Sequence, residues 1–458
     1  MRVLVTGSSV LFSPPLIAGL GHRGAEITAA DSLKFSVGKV SRFTHRTLLV
    51  PRPGTNPEGY LQAILQELRS RRYDLLLPSF EESLLLAEYQ NELQTLTNVF
   101  LPDFETMLAF HHKPSLHAFC DSLGIATPPT VLFRLEENLV DQVNQRLSYP
   151  VVLKQPMGNN SVGRKFCRDA GELRQAWSQL PETCFTSPAV HPFVQQRIDG
   201  ELLCTLMFCH RGQKLAELIY RTLRSFPDAG GTSVYRESIT HPQIAAITSR
   251  LAEETNWTGF VGFDFLVDRA TGQPFLIDAN PRPNPAVGLG YACGIDWTGI
   301  LLELLDRRVP QPVQAQPGLR TRTLMLDVAW LFEGFQPGPN WPRRMASRVA
   351  RFVAPEWSIP PHHWKQGDGW KRHVAAAWHG LRASAKAVVT GQSIGQLFLE
   401  DANYDATAAA SYAQRRGAPT ASVHRSLGVI SSVVGEPPPV IFRMPAPHFS
   451  PTSVSQVG

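Results

Sequence analysis

Gly262-Phe-Asp264-Phe-Leu-Val-Asp268, then Arg269-Ala-Thr-Gly272, then Gln273-Pro-Phe-Leu-Ile-Asp278-Ala-Asn280-Pro-Arg282, forms two apolar runs around a turn. That pattern is a β-hairpin. Side chains alternate across a strand, so Asp278 and Asn280 share one face. Antiparallel pairing brings Asp264 opposite them. Two carboxylates and an amide oxygen then cluster on one sheet face, a hard-oxygen set suited to magnesium shared with nucleotide phosphates. Arg282, just beyond, offers a fixed positive fork for a phosphoryl group or a carboxylate. A surface hairpin with its polar residues facing water is the plainer alternative, and Asp268 and Arg269 beside the turn fit it. Asp264, Asp278 and Asn280 fit it poorly: they interrupt apolar strands, and an unpaired buried charge is costly.

Outward from the hairpin, the chain divides by texture. Arg2-Val-Leu-Val-Thr-Gly7 reads as a buried parallel strand followed by an apolar helix to Leu20. Gly24 to Asp31 is the next strand, Tyr60 to Arg71 an amphipathic helix, and Tyr73 to Pro78 another short strand. Strands alternating with helices imply an open, Rossmann-like α/β unit over residues 1–110. Its first turn, Gly7-Ser-Ser-Val-Leu-Phe12, lacks the Gly-x-Gly-x-x-Gly spacing of a dinucleotide site. Asp31 is then more simply a strand-end cap than a ribose ligand.

Between His111 and Val309 short strands mix with helices, and hairpins dominate: Pro150 to Lys154, Phe193 to Gln196 and Leu202 to Cys209 are strands, while Lys113 to Leu123, Pro242 to Thr255 and Trp297 to Leu305 are helices. This is an α+β unit with antiparallel sheets. Tyr220 to Arg236 reads as a Gly-Gly loop flanked by Arg221, Arg224 and Arg236, a place to seat a carboxylate. A solvated basic loop is the alternative there.

The hairpin resembles the metal-binding hairpin of ATP-grasp enzymes, which in relatives of carbamoyl-phosphate synthetase and biotin carboxylase ends in an acid-x-Asn-Pro-Arg sequence. Pro150-Val-Val-Leu-Lys154 is similar to the family strand whose lysine reaches the phosphates. His112-Lys113, before a helix and Gly124-Ile-Ala-Thr-Pro128, resembles the place of the second such lysine. Phe193-Val-Gln-Gln-Arg-Ile-Asp-Gly200-Glu201 resembles the interlobe strand that holds adenine. The resemblance implies a pre-ATP-grasp domain (1–110) before a two-lobed core (111–309, with lobes 113–192 and 193–309). It implies ATP held by Lys113, Lys154, Ser161, Gly163, Gln195, Gln196, Ile198 and Glu201. It further implies Mg2+, with Mn2+ as an alternative, on Asp264, Asp278 and Asn280, and Arg282, Arg236 and Arg221 as the groups stabilising charge in transfer. Departures are Asp278 where the family usually has Glu, amides at Gln195 and Gln196 where an acid often meets adenine, and a glycine-poor loop at Met157 to Arg164. Read singly, Lys154 is also compatible with a snorkelling strand-edge lysine, Lys113 with an exposed helix start, and Glu201 with a turn cap.

The activity implied is carboxylate–amine ligation through an acyl phosphate, on small-molecule substrates. Bicarbonate activation ranks below it, because no amidotransferase or biotinyl-carrier segment is visible. A non-catalytic nucleotide-binding protein is the reading from another class. It draws on the segment after the Pro/Gln linker at 310–317, where nine Lys/Arg face two acids between Trp341 and Lys386, a net +7 against +5 for the whole chain. Trp341, Trp357, Trp364, Trp370 and Trp378 are interleaved with those cations. An acidic carrier protein or an anionic surface would fit residues 341–386, though packing on the core is the simpler account. No DNA contact is expected, and a homo-oligomer is compatible with the sequence. Residues 310–434 thus form a basic, Trp-rich extension, and 435–458 read as an unfolded tail. Six scattered cysteines without a Cys-x-x-Cys pair, no leader-like start and no membrane-length apolar run point to a cytoplasmic protein.

Overall fold

A computed structural model describes residues 1–132, 138–158, 164–185, 191–228, 230–333, 340–354, 371–390 and 404. The N-terminal unit contains β1 (Arg2–Val5), α1 (Ser13–His22), β2 (Glu26–Asp31), β3 (Thr44–Leu49), α2 (Pro57–Ser70), β4 (Leu75–Leu77), α3 (Glu82–Glu88), α4 (Gln90–Leu96) and α5 (Phe104–His111). Its parallel sheet runs β3-β2-β1-β4. Val3, Leu4 and Val5 are fully buried, as a strand covered on both faces requires. The order reverses at β1, so the loops after β1 and β4 open side by side at the strands' carboxyl ends, where such sheets place ligands. The sequence did not disclose β3, whose Thr44-His-Arg-Thr-Leu-Leu49 is polar and mostly exposed at the sheet edge.

The smaller lobe pairs β5 (Thr130–Leu132), β6 (Val151–Lys154), β7 (Lys165–Cys167) and β8 (Phe193–Gln196) antiparallel in the order β5-β8-β6-β7. Helices α7 (Leu139–Arg146) and α8 (Ala170–Ser178) supply Val143 and Leu173 to its core. Helix α6 (Lys113–Ser122), grouped with this lobe from sequence, instead puts Leu116, Phe119 and Cys120 into the core of the larger one.

The larger lobe is built on β9 (Gly200–His210), β10 (Gln213–Phe226), β11 (Thr232–Ile239), β12 (Gly259–Asp268) and β13 (Pro274–Asn280). Its sheet runs β13-β12-β9-β10-β11-β15, and β14 (Val313–Gln314) and β15 (Arg320–Arg322) come from beyond residue 309. Helix α9 (Pro242–Glu254) covers one face with α6. Helices α10 (Val287–Ala292) and α11 (Trp297–Leu305) cover the other, in a core continuous with Val3, Val5, Leu16 and Ile27 of the N-terminal unit. The Gly-Gly loop expected over 220–236 is a correction: most of it is strand, and only 227–231 connects β10 to β11. Arg221 and Arg224 therefore lie in β10 and Arg236 in β11.

Three helices follow: α12 (Leu324–Glu333), α13 (Trp341–Val353) and α14 (Lys371–Thr390). Fully buried Asp327 of α12 pairs with Arg224 of β10 at 3.0 Å and with Arg322 of β15. Trp330 lies under the guanidinium groups of Arg224, Arg348 and Arg351. Two cations counted toward a basic surface, Arg348 and Arg351, are thus engaged internally, the first also pairing with Asp228. Residues 435–458, Trp357, Trp364 and Trp370 lie outside the described residues. All six cysteines are free and buried. Among the described residues no helix is long and apolar enough to cross a membrane.

Candidate active site

The hairpin β12–β13 places Asp264 and Asp278 directly opposite each other, with Gly262 opposite Asn280. Glycine is required at 262 by space: a Cβ there would stand 2.7 Å from the Thr205 backbone oxygen and from Asn284 Nδ2. The two carboxylates repel, and burial adds to this, so Asp264 is pushed up to about 6, burial being the larger cause. Lys113, at the start of α6, answers the charge: its Nζ lies 3.1 Å from Asp278 Oδ1 and donates to the Gly158 carbonyl at 3.2 Å. Asn280 Oδ1 accepts from Arg282 Nη2 at 3.1 Å. Two carboxylates and one amide are too few to enclose a cation alone. They fit magnesium, whose remaining positions are commonly taken by phosphates and water.

Lys154 ends β6 and points at the same place from the smaller lobe. Its Nζ donates to Gln195 Oε1 at 2.5 Å, and burial, outweighing nearby Asp278, pushes it down to about 7. Gln195 is itself held by Thr130 Oγ1 at 3.1 Å and lies 3.4 Å from His117 Nδ1. Gln196, on the alternate side, bonds both the backbone N–H and the carbonyl of Ser148. Its side chain braces a turn. Ser161 and Gly163 lie outside the described residues.

A single cavity of about 1130 Å³ spans these groups. Lys113, Lys154, Ile198, Asp264, Asp278, Asn280 and Arg282 all line it. Gln195, Gln196, Glu201 and Arg221 do not. On β9 Gly200, Leu202 and Cys204 face the cavity, and on β10 Tyr220 and Thr222 do. Alternation turns Glu201 and Arg221 to the other sheet face, where they lie 3.4 Å apart and Glu237 stands 3.9 Å from Arg221. Asp199 lines the cavity instead, because residues 197–199 are not strand and the alternation does not extend back through them. Arg236 is fully buried behind the wall, donating to the carbonyls of Ser233 and Pro285 and to Thr323 Oγ1 at 2.9 Å. Burial pushes it down to about 10.

Arg282 carries a partner that sequence reasoning missed. Glu81, in the loop after β4, is 3% exposed, accepts from Arg282 Nε at 2.7 Å and lies 3.5 Å from His111 Nε2. The Arg282 guanidinium also stacks 4.5 Å over Phe80. The signal for Glu81 was an acidic pair, Glu81-Glu82, at the carboxyl end of a buried strand. Arg164, which lines the cavity across from Gly230, was quoted with its loop but given no role.

The fold is shared with solved structures. The fold is similar to L-amino acid ligase from Bacillus licheniformis, with TM-score 0.53 and 17% identity over 68% of this chain and 76% of that one. It is similar also to the biotin carboxylase domain of 2-oxoglutarate carboxylase from Hydrogenobacter thermophilus, solved with MgADP and bicarbonate, with TM-score 0.55 and 16% identity over 70% and 73% of the two chains. The chain has an ATP-grasp fold.

In sequence, the chain is 24% identical over 176 residues to formate-dependent phosphoribosylglycinamide formyltransferase of Thioalkalivibrio sulfidiphilus, covering 38% of this chain and 42% of that one. It is 26% identical over 200 residues to D-alanine–D-alanine ligase of Methylococcus capsulatus, covering 40% and 61%. The match therefore spans less than two thirds of either relative. No family model matches the chain.

Proposed function

We propose that this chain is an ATP-dependent ligase that activates a carboxylate as an acyl phosphate and passes it to an amine, releasing ADP and phosphate. The observation that carries this reading is the pair Asp264–Asp278, in register across the hairpin and faced by Lys113, with Arg282 beyond, on the wall of one large cavity. Lys113 and Lys154 hold the nucleotide phosphates, Ile198 lies beside the base, and Asp199 is placed for the ribose hydroxyls. Asp264, Asp278 and Asn280 would hold Mg2+, which would supply neutralisation of the charge that develops on the transferring group. Mn2+ would satisfy the same oxygens.

The substrate carboxylate oxygen attacks the γ-phosphorus, and the bond to the ADP oxygen breaks. The amine then adds to the acyl carbon and phosphate leaves with its oxygen. Positioning and electrostatics do the catalysis, so no dedicated nucleophile is needed. Arg282, clamped by Glu81 and Asn280, presents a fixed positive fork. Arg236 adds positive potential from behind the wall without touching substrate. Arg221 takes no part, because it lies on the other sheet face.

The test is ADP and phosphate release by the purified chain with magnesium-ATP, screened against pooled carboxylic acids and amines. Release confined to certain pools, with a product lighter by water than its two parts, supports the ligase. Failure to bind ATP would end the reading. Bicarbonate activation is the second reading, because the Hydrogenobacter thermophilus domain holds bicarbonate with MgADP and the same fork would accept that small anion. ADP release with bicarbonate and no other acid distinguishes it.

A further inference from the structure

The cavity changes character along its length. Cations and carboxylates line the part between the two lobes. The far wall is made by elements that the ATP-grasp sheets do not supply. On α12, Leu326, Ala329 and Phe332, three residues apart, turn to the cavity while Asp327 is buried toward the sheet. On α14, Ala376, Ala377, Gly380 and Leu381 form one stripe facing it. From the N-terminal unit, Leu11 and Phe12 after β1 add to the wall, and so does Phe80 after β4, whose ring also lies under Arg282. Among the described lining residues of these four segments none is charged.

The wall is anchored at both ends. The Asp327 pairs fix α12 to β10 and β15. Ala375 and Ala376 of α14 pack on Val37, with Leu11 and Val40 alongside. Phe332 and Leu381 line the cavity yet stay 60% and 66% exposed, leaving apolar surface open to a ligand. Apolar surface of this kind favours an apolar group on the ligand that covers it.

We propose that the co-substrate meeting the transferring phosphoryl group carries an apolar aliphatic or aromatic body, selected by this wall. The proposal rests on the ligase reading for the word co-substrate, but the pocket itself is testable by binding alone.

Gly380 gives the means. A Cβ built there meets none of the described residues within 4 Å, so a larger side chain has room to start, and Gly380→Leu narrows the cavity. Equilibrium dialysis of the full chain with magnesium-ADP would compare matched probes: hexanoate with glutarate, hexylamine with cadaverine, and leucine with glutamate. The apolar member of at least one pair is expected to bind at least about tenfold tighter, and Gly380→Leu to weaken it by at least about tenfold, with ADP affinity unchanged. Leu381→Ala, which only trims the wall, should weaken the same probe and guards against a folding defect in the first variant. Equal or better binding of the charged members, no binding by any probe, or indifference to both variants would overturn the proposal. Selective binding without ADP release from any pool would remove the ligase reading and leave the apolar pocket standing.

Discussion

Glu81 Oε1 accepts a hydrogen bond from Arg282 Nε at 2.7 Å across 201 positions of sequence. It joins the N-terminal unit to the end of the β12–β13 hairpin, on the wall of the cavity. Because Nε is held by Glu81 and Nη2 by Asn280, the guanidinium plane is fixed before substrate arrives.

Glu81→Gln should therefore lower kcat by about tenfold to a hundredfold through misplacement of Arg282, with little change in the KM for ATP. Steady-state kinetics check this. A variant that changes only the KM for ATP, or nothing, would mean that Arg282 is oriented by other contacts.

Asp278→Ala and Asp264→Asn should each cut carboxylate-dependent ADP release by at least about a hundredfold, the scale of losing a major charge-stabilising group. Both should also abolish the extra rise in thermal midpoint that magnesium gives to the ADP-bound protein, since only a ligand that binds the folded state stabilises it. Differential scanning calorimetry with ADP, with and without magnesium, reads this directly.

Lys154 is a lysine whose folded pKa, about 7, lies below its unfolded value. Between about pH 7 and its ordinary range the unfolded chain holds a proton that the folded one lacks. Stability of the nucleotide-free protein should rise with pH across that window, and Lys154→Met should flatten the rise. Bound phosphates would restore the charge. ATP binding at pH 8.5 should then take up close to a whole proton, measured by calorimetry in two buffers of different ionisation enthalpy, and Lys154→Met should take up none.

Asp327→Ala leaves Arg224 and Arg322 buried without their carboxylate. It should destabilise the fold by about 3 kcal/mol, read as a lower denaturant midpoint. An unchanged midpoint would show that α12 is held by Trp330 and its arginine neighbours instead.

The hairpin Gly262 to Arg282 was legible because two periodic apolar runs with acids at fixed offsets admit one pairing, and Asp264 does stand opposite Asp278. Lys113 and Lys154 were singled out by the resemblance to ATP-grasp lysines; read alone, each also fitted a structural role, and the structure places both on the cavity. Glu201 and Arg221 were harder. A shift of one residue in where a strand begins sends a side chain to the opposite face, and sequence does not locate boundaries that finely. The three flanking arginines looked alike in sequence, yet one is buried behind the cavity wall, one holds α12, and one lies on the far side of the sheet.

What the sequence alone determined was local: most of the strands and helices, and the hairpin with its clustered oxygens. These follow from periodicity and turn chemistry, which act over a few neighbouring residues. Only the tertiary structure decided that Glu81 orients Arg282, that Asp199 rather than Glu201 reaches the cavity, and that α12 and α14 close its far end. Those relationships depend on how separate elements pack, and packing is settled by burial and charge pairing between residues far apart in the chain.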